Sequence, residues 1–180
     1  MKKETDESLM ILVRNGDLDS VAPLFERYHV KLYNFFLRLT FDKELSQDLT
    51  QNVFYRIIKY KHTYNAEYKF RTWMYQMARN ILADHYEKNK IITSDYYKPE
   101  KLSDNFLSDQ EEVEKQERHK ALYEALAKLA PEQREIIVLS RFQGLKYQEI
   151  SKINGITVGA IKVKVHRAIN KLKEVYFENV

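Results

Sequence analysis

Apolar side chains recur at steps of three and four along most of this chain, the spacing that lines one face of an α-helix, and the steps lapse at few places. From near Ser20 through "LFERYHVKLYNFFLRLT" the positions Leu24, Tyr28, Leu32, Phe35 and Leu39 make one such stripe. Pro23 falls in the first turn, where a missing N–H does no harm. A second stripe, Leu45, Leu49, Val53, Ile57 and Tyr60, runs through "DKELSQDLTQNVFYRIIKY". A third, Met74, Met77 or Ala78, and Ile81, runs through "RTWMYQMARNILADHYEKN", and the intervening "KHTYNAEYKF" has no period and reads as a loop. Ahead of them all, Asp6 caps a short helix reaching Val13, which Asn15 and Gly16 stop.

From Ile91 to Asp109 the pattern dissolves into "IITSDYYKPEKLSDNFLSD", polar, leaning acidic and interrupted by Pro99, which is the composition of a linker. Helical spacing then returns in "EEVEKQERHKALYEALAKLA" and in "PEQREIIVLSRF", which Pro131 starts and Gly144 ends. "YQEISKI" and a last, basic helix complete the chain. The expected fold is all-α, two small helical domains joined by a flexible linker, with the C-terminal one carrying a helix-turn-helix. The expected boundaries are 1–90, 91–110 and 111–180.

Composition agrees with helices, since the 180 residues include only 4 glycines and 3 prolines. With no cysteine there are no disulfides or thiolate metal sites, which fits a reducing compartment. No apolar run has the length of a membrane span, and "MKKETDES" turns acidic before any apolar core, so the expected location is the cytoplasm. Five histidines lie scattered, and "DHYE" at Asp84 to Glu87 lacks metal-ligand spacing. There is no phosphate loop and no nucleophile constellation. The expectation is therefore a protein without catalysis, cofactor, metal or small-molecule substrate.

The net charge of +4 matters less than where it lies. "NGITVGAIKVKVHRAINKL" joins two helices through a turn in which Gly155 can take the left-handed conformation and Thr157 can cap the last helix. At 100° per residue, Val158, Ile161, Val165, Ile169 and Leu172 share an inward stripe. The opposite face holds Lys162, Val163, Lys164, His166, Arg167, Asn170 and Lys171. A solvated lysine-rich surface is the plain alternative, but acids are nearly absent here, Glu149 and Glu174 standing alone between Leu145 and Val175. The face suits duplex DNA, with Val163 able to meet a thymine methyl group and the first turn of the helix able to offer amides to a phosphate.

A second concentration of chemistry lies between Lys59 and Asn80. Aromatic residues, among them Tyr60, Tyr64, Tyr68, Phe70, Trp73 and Tyr75, alternate with Lys59, Lys61, Lys69, Arg71 and Arg79. Rings to stack on and cations to neutralise phosphate suit unpaired bases, while core packing accounts at least equally well for Phe70 and Trp73. Asn80 and Asp84, one helical turn apart, could read the edge of an extruded base or form a solvent-facing pair.

Taken together, "DLTQNVFYRII", "FRTWMYQMARN" and "LAPEQREIIVLSRFQGLKYQEISKINGITVGAIKVKVHRAINKL" resemble the extracytoplasmic-function sigma factors of bacterial RNA polymerase, from about Val21 to Leu172 and in that family's order. The resemblance implies a first domain (region 2) that holds the polymerase and melts the minus-ten element, and a second (region 4) that binds the minus-thirty-five element as duplex. It implies polymerase binding by Asp48, Gln51, Asn52 and Tyr55, with Asn52 standing where the family commonly has Glu. Tyr64, Tyr68, Lys69, Arg71, Trp73, Tyr75, Arg79, Asn80 and Asp84 fall in the part that captures single-stranded DNA, Asp84 at a variable position. Thr157, Lys162, Val163, Lys164, His166, Arg167 and Lys171 fall on the duplex-reading helix, Val163 and Lys164 where members often have Ser and Arg. The implied partners are core RNA polymerase, promoter DNA and an anti-sigma factor, commonly membrane-bound. The competing expectation is a two-domain helix-turn-helix regulator that binds an operator without the polymerase.

Overall fold

In the computed structural model the described residues are 4–89 and 110–178, with the side chains of 110–114 left aside. The expected linker, 91–110, thus lies outside the described residues except for Gln110, which already begins a helix. Helices α1 (Asp6–Arg14), α2 (Val21–Thr40), α3 (Lys43–Lys59) and α4 (Phe70–Asn89) precede that segment. Helices α5 (Gln110–Ala127), α6 (Pro131–Ile137), α7 (Tyr147–Asn154) and α8 (Val158–Glu178) come after it. The fold is all-α, and the described residues contain no strand.

Local chemistry sets the ends of these helices. The Thr5 hydroxyl, one residue earlier than the sequence suggests, accepts the Ser8 N–H at 3.1 Å and starts α1. That leaves Asp6 to take the Arg27 guanidinium at 2.6 Å and the Tyr28 hydroxyl, pinning α1 on α2. Asp42 caps α3 by accepting the Leu45 N–H at 3.1 Å. Pro131 opens α6, whose end widens into a π-helical turn at Val138–Phe142, with the Gln143 N–H reaching the Val138 carbonyl at 2.9 Å.

The predicted stripes face inward. Leu24, Tyr28, Leu32, Phe35 and Leu39 of α2 are buried, as are Leu49, Val53 and Ile57 of α3 and Met74, Ala78 and Ile81 of α4. Tyr60 departs from its stripe: α3 stops one residue short of it, and the ring stands exposed. On the C-terminal side α5, α6 and α7 all pack on α8.

The two helical units do not stand apart, because α4 packs on α7, and α2 packs on α6 and on the π turn. Buried apolar residues of both units form one contiguous cluster, with Leu39 and Phe41 on one side and Leu126, Leu129 and Ile137 on the other. Arg134 sits at the seam, 4% exposed, and donates to the carbonyls of Leu126, Ala127 and Leu129 and, across the seam, to that of Leu39, at 2.8 to 3.3 Å. These carbonyls close α5 and α2, so one cation answers the negative ends of two helices. Phe41 ends α2 at a left-handed φ of 56°, rare for a bulky residue, with its ring under the Arg134 guanidinium at 4.8 Å and edge-on to Tyr123 at 6.1 Å.

Candidate nucleic-acid interfaces

On α8 the cationic face predicted from periodicity is open to solvent. Ile161, Val165 and Ala168 are buried beneath it, while Lys162, Lys164, His166, Arg167 and Lys171 are exposed and Val163 keeps 49% of its surface in contact with water. Gly155 ends α7 at φ 67°, and the Thr157 hydroxyl accepts the Ala160 N–H at 3.2 Å, so the turn and the cap are built as helix-turn-helix geometry requires. Lys164 reaches Glu132 at 3.0 Å and Lys171 reaches Glu174 at 3.0 Å, both exposed pairs that water and salt weaken. Among the described residues Lys162 and Arg167 make no ion pair. The face is a row of available cations around one exposed aliphatic side chain.

The segment from Tyr64 to Asp84 is in a different state. Tyr64 is 1% exposed, packed against Trp73 at 5.2 Å, and burial beside Glu7 and Asp6 pushes its hydroxyl up to about 12. Tyr75 is 2% exposed, its hydroxyl donates to the Gln143 amide oxygen at 2.7 Å, and burial raises its pKa. Neither ring can stack on a base here, because the core has taken both for their apolar area. Phe70 is likewise core, and the Glu7 carboxylate accepts its N–H at 3.0 Å, which caps α4 from another helix. Tyr68 and Asn80 are exposed, and Trp73 is half-buried. Asp84 does not pair with Asn80; it takes the Arg56 guanidinium at 3.1 Å.

The arginines of this segment point at the other helical unit. Arg71 forms a two-pronged pair with Glu149 of α7, Nε donating at 2.6 Å and Nη2 to the second oxygen. Thr72 at 3.4 Å and Lys69 at 3.9 Å face the same carboxylate, which also accepts the Lys146 N–H at 2.8 Å and so caps its own helix. Burial of the Glu149 carboxyl works against its charge, but Arg71, the Lys146 N–H and Lys69 outweigh it and leave the group below the usual carboxylate range. A depressed folded value means that this stabilisation is present at neutral pH and is lost as pH falls through the acid range beneath that of an ordinary carboxylate. Arg79 pairs with Glu135 of α6 at 2.6 Å. A cleft of about 470 Å³ lies alongside, lined by Asn65, Tyr68, Thr72, Trp73 and Gln76 from one unit and Lys152 from the other.

On α3, Asp48, Gln51 and Tyr55 are exposed and Asn52 is half-buried, on the side away from Leu49, Val53 and Ile57. The face carries one anion, two amides and a ring that is 61% exposed.

Two family models match this chain, "Sigma-70 region 2" over residues 24–91 and "Sigma-70, region 4" over residues 119–172. The chain belongs to the sigma-70 family of RNA polymerase sigma factors. It falls in the extracytoplasmic-function branch. RNA polymerase sigma factor CarQ of Myxococcus xanthus is 27% identical over 165 residues, covering 92% of this chain and 94% of CarQ. The extracytoplasmic-function sigma factor SigX of Bacillus subtilis is 28% identical over 157 residues, covering 84% and 80%. Among solved structures, CnrH in complex with the cytosolic domain of CnrY shares the fold, with a TM-score of 0.77 at 18% identity and coverage of 98% and 100%. The region 2 match runs from Leu24, within α2, through α3 and α4, and the region 4 match runs from within α5 to Leu172 of α8.

Four residues of the sigma factor that periodicity did not single out govern how its two units meet: Arg134, Glu135, Gln143 and Glu149. Glu149 had a signal, a lone carboxylate in a basic stretch at the third position of a helix. Arg134 had none, since an arginine inside "PEQREII" reads as surface.

Proposed function

We infer that this sigma factor binds core RNA polymerase, directs it to a specific set of promoters and helps to open the DNA there. The observation that carries the reading is the pairing, in one chain, of an exposed cationic helix-turn-helix with a separate segment of aromatic, amide and cationic groups. The first suits intact duplex and the second suits unpaired bases. In this reading α3 docks on the polymerase through Asp48, Gln51, Asn52 and Tyr55. Tyr68, Trp73 and Asn80 meet the displaced strand of the minus-ten element, with Lys69, Arg71 and Arg79 on its phosphates. On α8, Lys162, Lys164, His166, Arg167 and Lys171 hold the minus-thirty-five duplex, Thr157 lies at the phosphate-facing first turn, and Val163 reads a base edge. The subunit itself performs no catalysis. An anti-sigma factor is the expected regulatory partner, and CnrH, similar in fold, is a protein held by another protein's cytosolic domain.

Transcription in vitro, with core polymerase and genomic DNA fragments, tests the reading. Defined start sites that require the added sigma factor are expected, and their absence defeats it. Within the same assay Asp48→Lys should weaken polymerase binding about tenfold while duplex binding stays unchanged, since a reversed charge acts on the partner it faces.

A further inference from the structure

The exposed loop that carries Tyr68 is held in place by a helix more than 50 positions ahead of it in the chain. Between the buried Tyr64 and the buried Phe70 stand Asn65, Ala66, Glu67, Tyr68 and Lys69, all exposed. Within the loop the Tyr64 hydroxyl donates to the Tyr68 carbonyl at 2.9 Å, the Tyr68 N–H reaches the Asn65 carbonyl at 3.1 Å, and the Asn65 side chain accepts the Glu67 N–H at 3.0 Å. Burial of the Tyr64 and Phe70 rings roots the loop in the core, and α1 fixes its backbone at both roots. At the first, Arg14 Nη1 donates to the Tyr64 carbonyl at 3.2 Å across a separation of 50 positions. At the second, Glu7 accepts the Phe70 N–H at 3.0 Å across 63. The two grips come from opposite ends of α1, which packs on the 3-10 turn Lys61–Thr63 and on α4.

The helix that makes these grips lies ahead of Leu24, where the region 2 match begins. Glu7 works against phosphate, since a carboxylate at the foot of a loop bearing Lys69 repels an anion and occupies the start of α4, where free N–H groups would attract one. What it supplies is a fixed acceptor. Reading a base by its edge needs side chains held to about half an ångström, and a loop with no helix or strand of its own meets that only when its ends are fixed.

We propose that α1 sets the base preference of the strand-reading loop, with Glu7 and Arg14 as positioning residues that fix the loop's two ends while touching no DNA themselves. The proposal rests on the single-strand role given to Tyr68 and its neighbours above, and it moves part of the specificity off the surface that meets DNA. Loss of either grip frees Tyr68 and Asn65 to shift against Trp73 and Asn80, which stand on α4 itself. Contact with phosphate survives such a shift, because a displaced cation still finds an anion. Discrimination between base edges does not.

The test uses the full chain with core polymerase, on a promoter found by the start-site assay and randomised through its minus-ten element. Transcript yield for each base at each position gives the preference, and hydrogen exchange of the segment from Lys61 to Thr72 reports the order of the loop. Glu7→Ala with Arg14→Ala should flatten the preference at the position that the loop reads, and speed exchange of the loop amides, each about tenfold, while affinities for polymerase and for the minus-thirty-five duplex stay within about twofold. Glu7→Gln removes the charge but keeps an oxygen for the Phe70 N–H, so it should retain the wild-type preference. Arg14→Ala alone leaves that cap in place and should flatten the preference about threefold, and it decides the matter if the double variant does not fold. An unchanged preference in the alanine variants overturns the proposal. So does flattening that Glu7→Gln shares, which would make charge the cause, or flattening without faster exchange, or a loss of yield at every base alike, or a parallel loss of polymerase affinity. If start sites appear and the preference holds in every variant, the proposed function stands without this proposal. If the wild-type protein gives no start sites, the proposed function falls and the proposal falls with it.

Discussion

Arg167 on α8 and Arg71 on α4 are the same kind of side chain placed on helices of the same fold, and their circumstances are opposite. Arg167 is exposed and makes no ion pair among the described residues, whereas Arg71 is gripped by both oxygens of Glu149. The face proposed to hold duplex DNA is open to solvent, and the arginines proposed to meet a single strand are engaged with the protein's own acids. The difference comes from position in the chain. α5, α6 and α7 pack on the side of α8 that carries Ile161, Val165 and Ala168, which leaves Arg167 facing solvent, while the start of α4 lies in the seam where α7 packs. Cationic composition alone therefore does not identify a working nucleic-acid surface; what the guanidinium already touches decides it.

The largest effect should come from breaking the seam that separates these two circumstances. Arg134→Ala would leave the carbonyls of Leu126, Ala127, Leu129 and Leu39 without their shared donor in a buried place. A loss of about 3 kcal/mol is expected, the scale of removing a buried charged donor from several acceptors, and with it a fall in Tm of roughly 10 °C. Thermal unfolding monitored by circular dichroism measures it. A fall of under about 3 °C would mean that the Arg71–Glu149 and Arg79–Glu135 pairs, and not the buried arginine, hold the units together.

Much of this arrangement is legible in the residues, and the illegible part has a common cause. Helix stripes such as Leu24 to Leu39 depend on spacing within one helix, so sequence reveals them directly. The turn at Gly155 and the cap at Thr157 are equally local. Tyr64 and Tyr75 read in sequence as rings for bases, yet they are core, since an aromatic among cations looks alike whether a base or another helix covers it. The Arg71–Glu149 pair spans 78 positions, and the Arg134 contact to Leu39 spans 95. Such contacts are set by how finished helices dock, which local pattern does not encode.

A smaller and more selective effect should separate the two surfaces functionally. Lys162→Ala with Arg167→Ala removes two cations from α8 and none from the seam. Affinity for a minus-thirty-five duplex should fall by about tenfold at low salt, and the slope of log affinity against log salt should flatten by roughly two. Binding of single-stranded DNA by the same variant should be unaffected. A matching loss on single strands would show that the cations act as one diffuse field and that the contrast between Arg167 and Arg71 has no functional meaning.

The smallest effect concerns Val163, half exposed among cations. An aliphatic side chain in that setting gains little from water, and in a major groove its natural contact is the methyl group of thymine. Burial of one methyl group is worth about 0.8 kcal/mol, close to fourfold in affinity. Replacing thymine by uracil throughout the minus-thirty-five duplex removes those methyls while keeping every hydrogen-bonding edge. The wild-type protein should bind the uracil duplex about threefold more weakly, and Val163→Ala should bind both duplexes alike, at the weaker level. The comparison cancels any general loss of fit in the variant, because each protein is judged against itself on two ligands. If wild type does not distinguish thymine from uracil, Val163 lies outside the groove, and specificity on this helix rests with the Lys164 to Arg167 turn beside it.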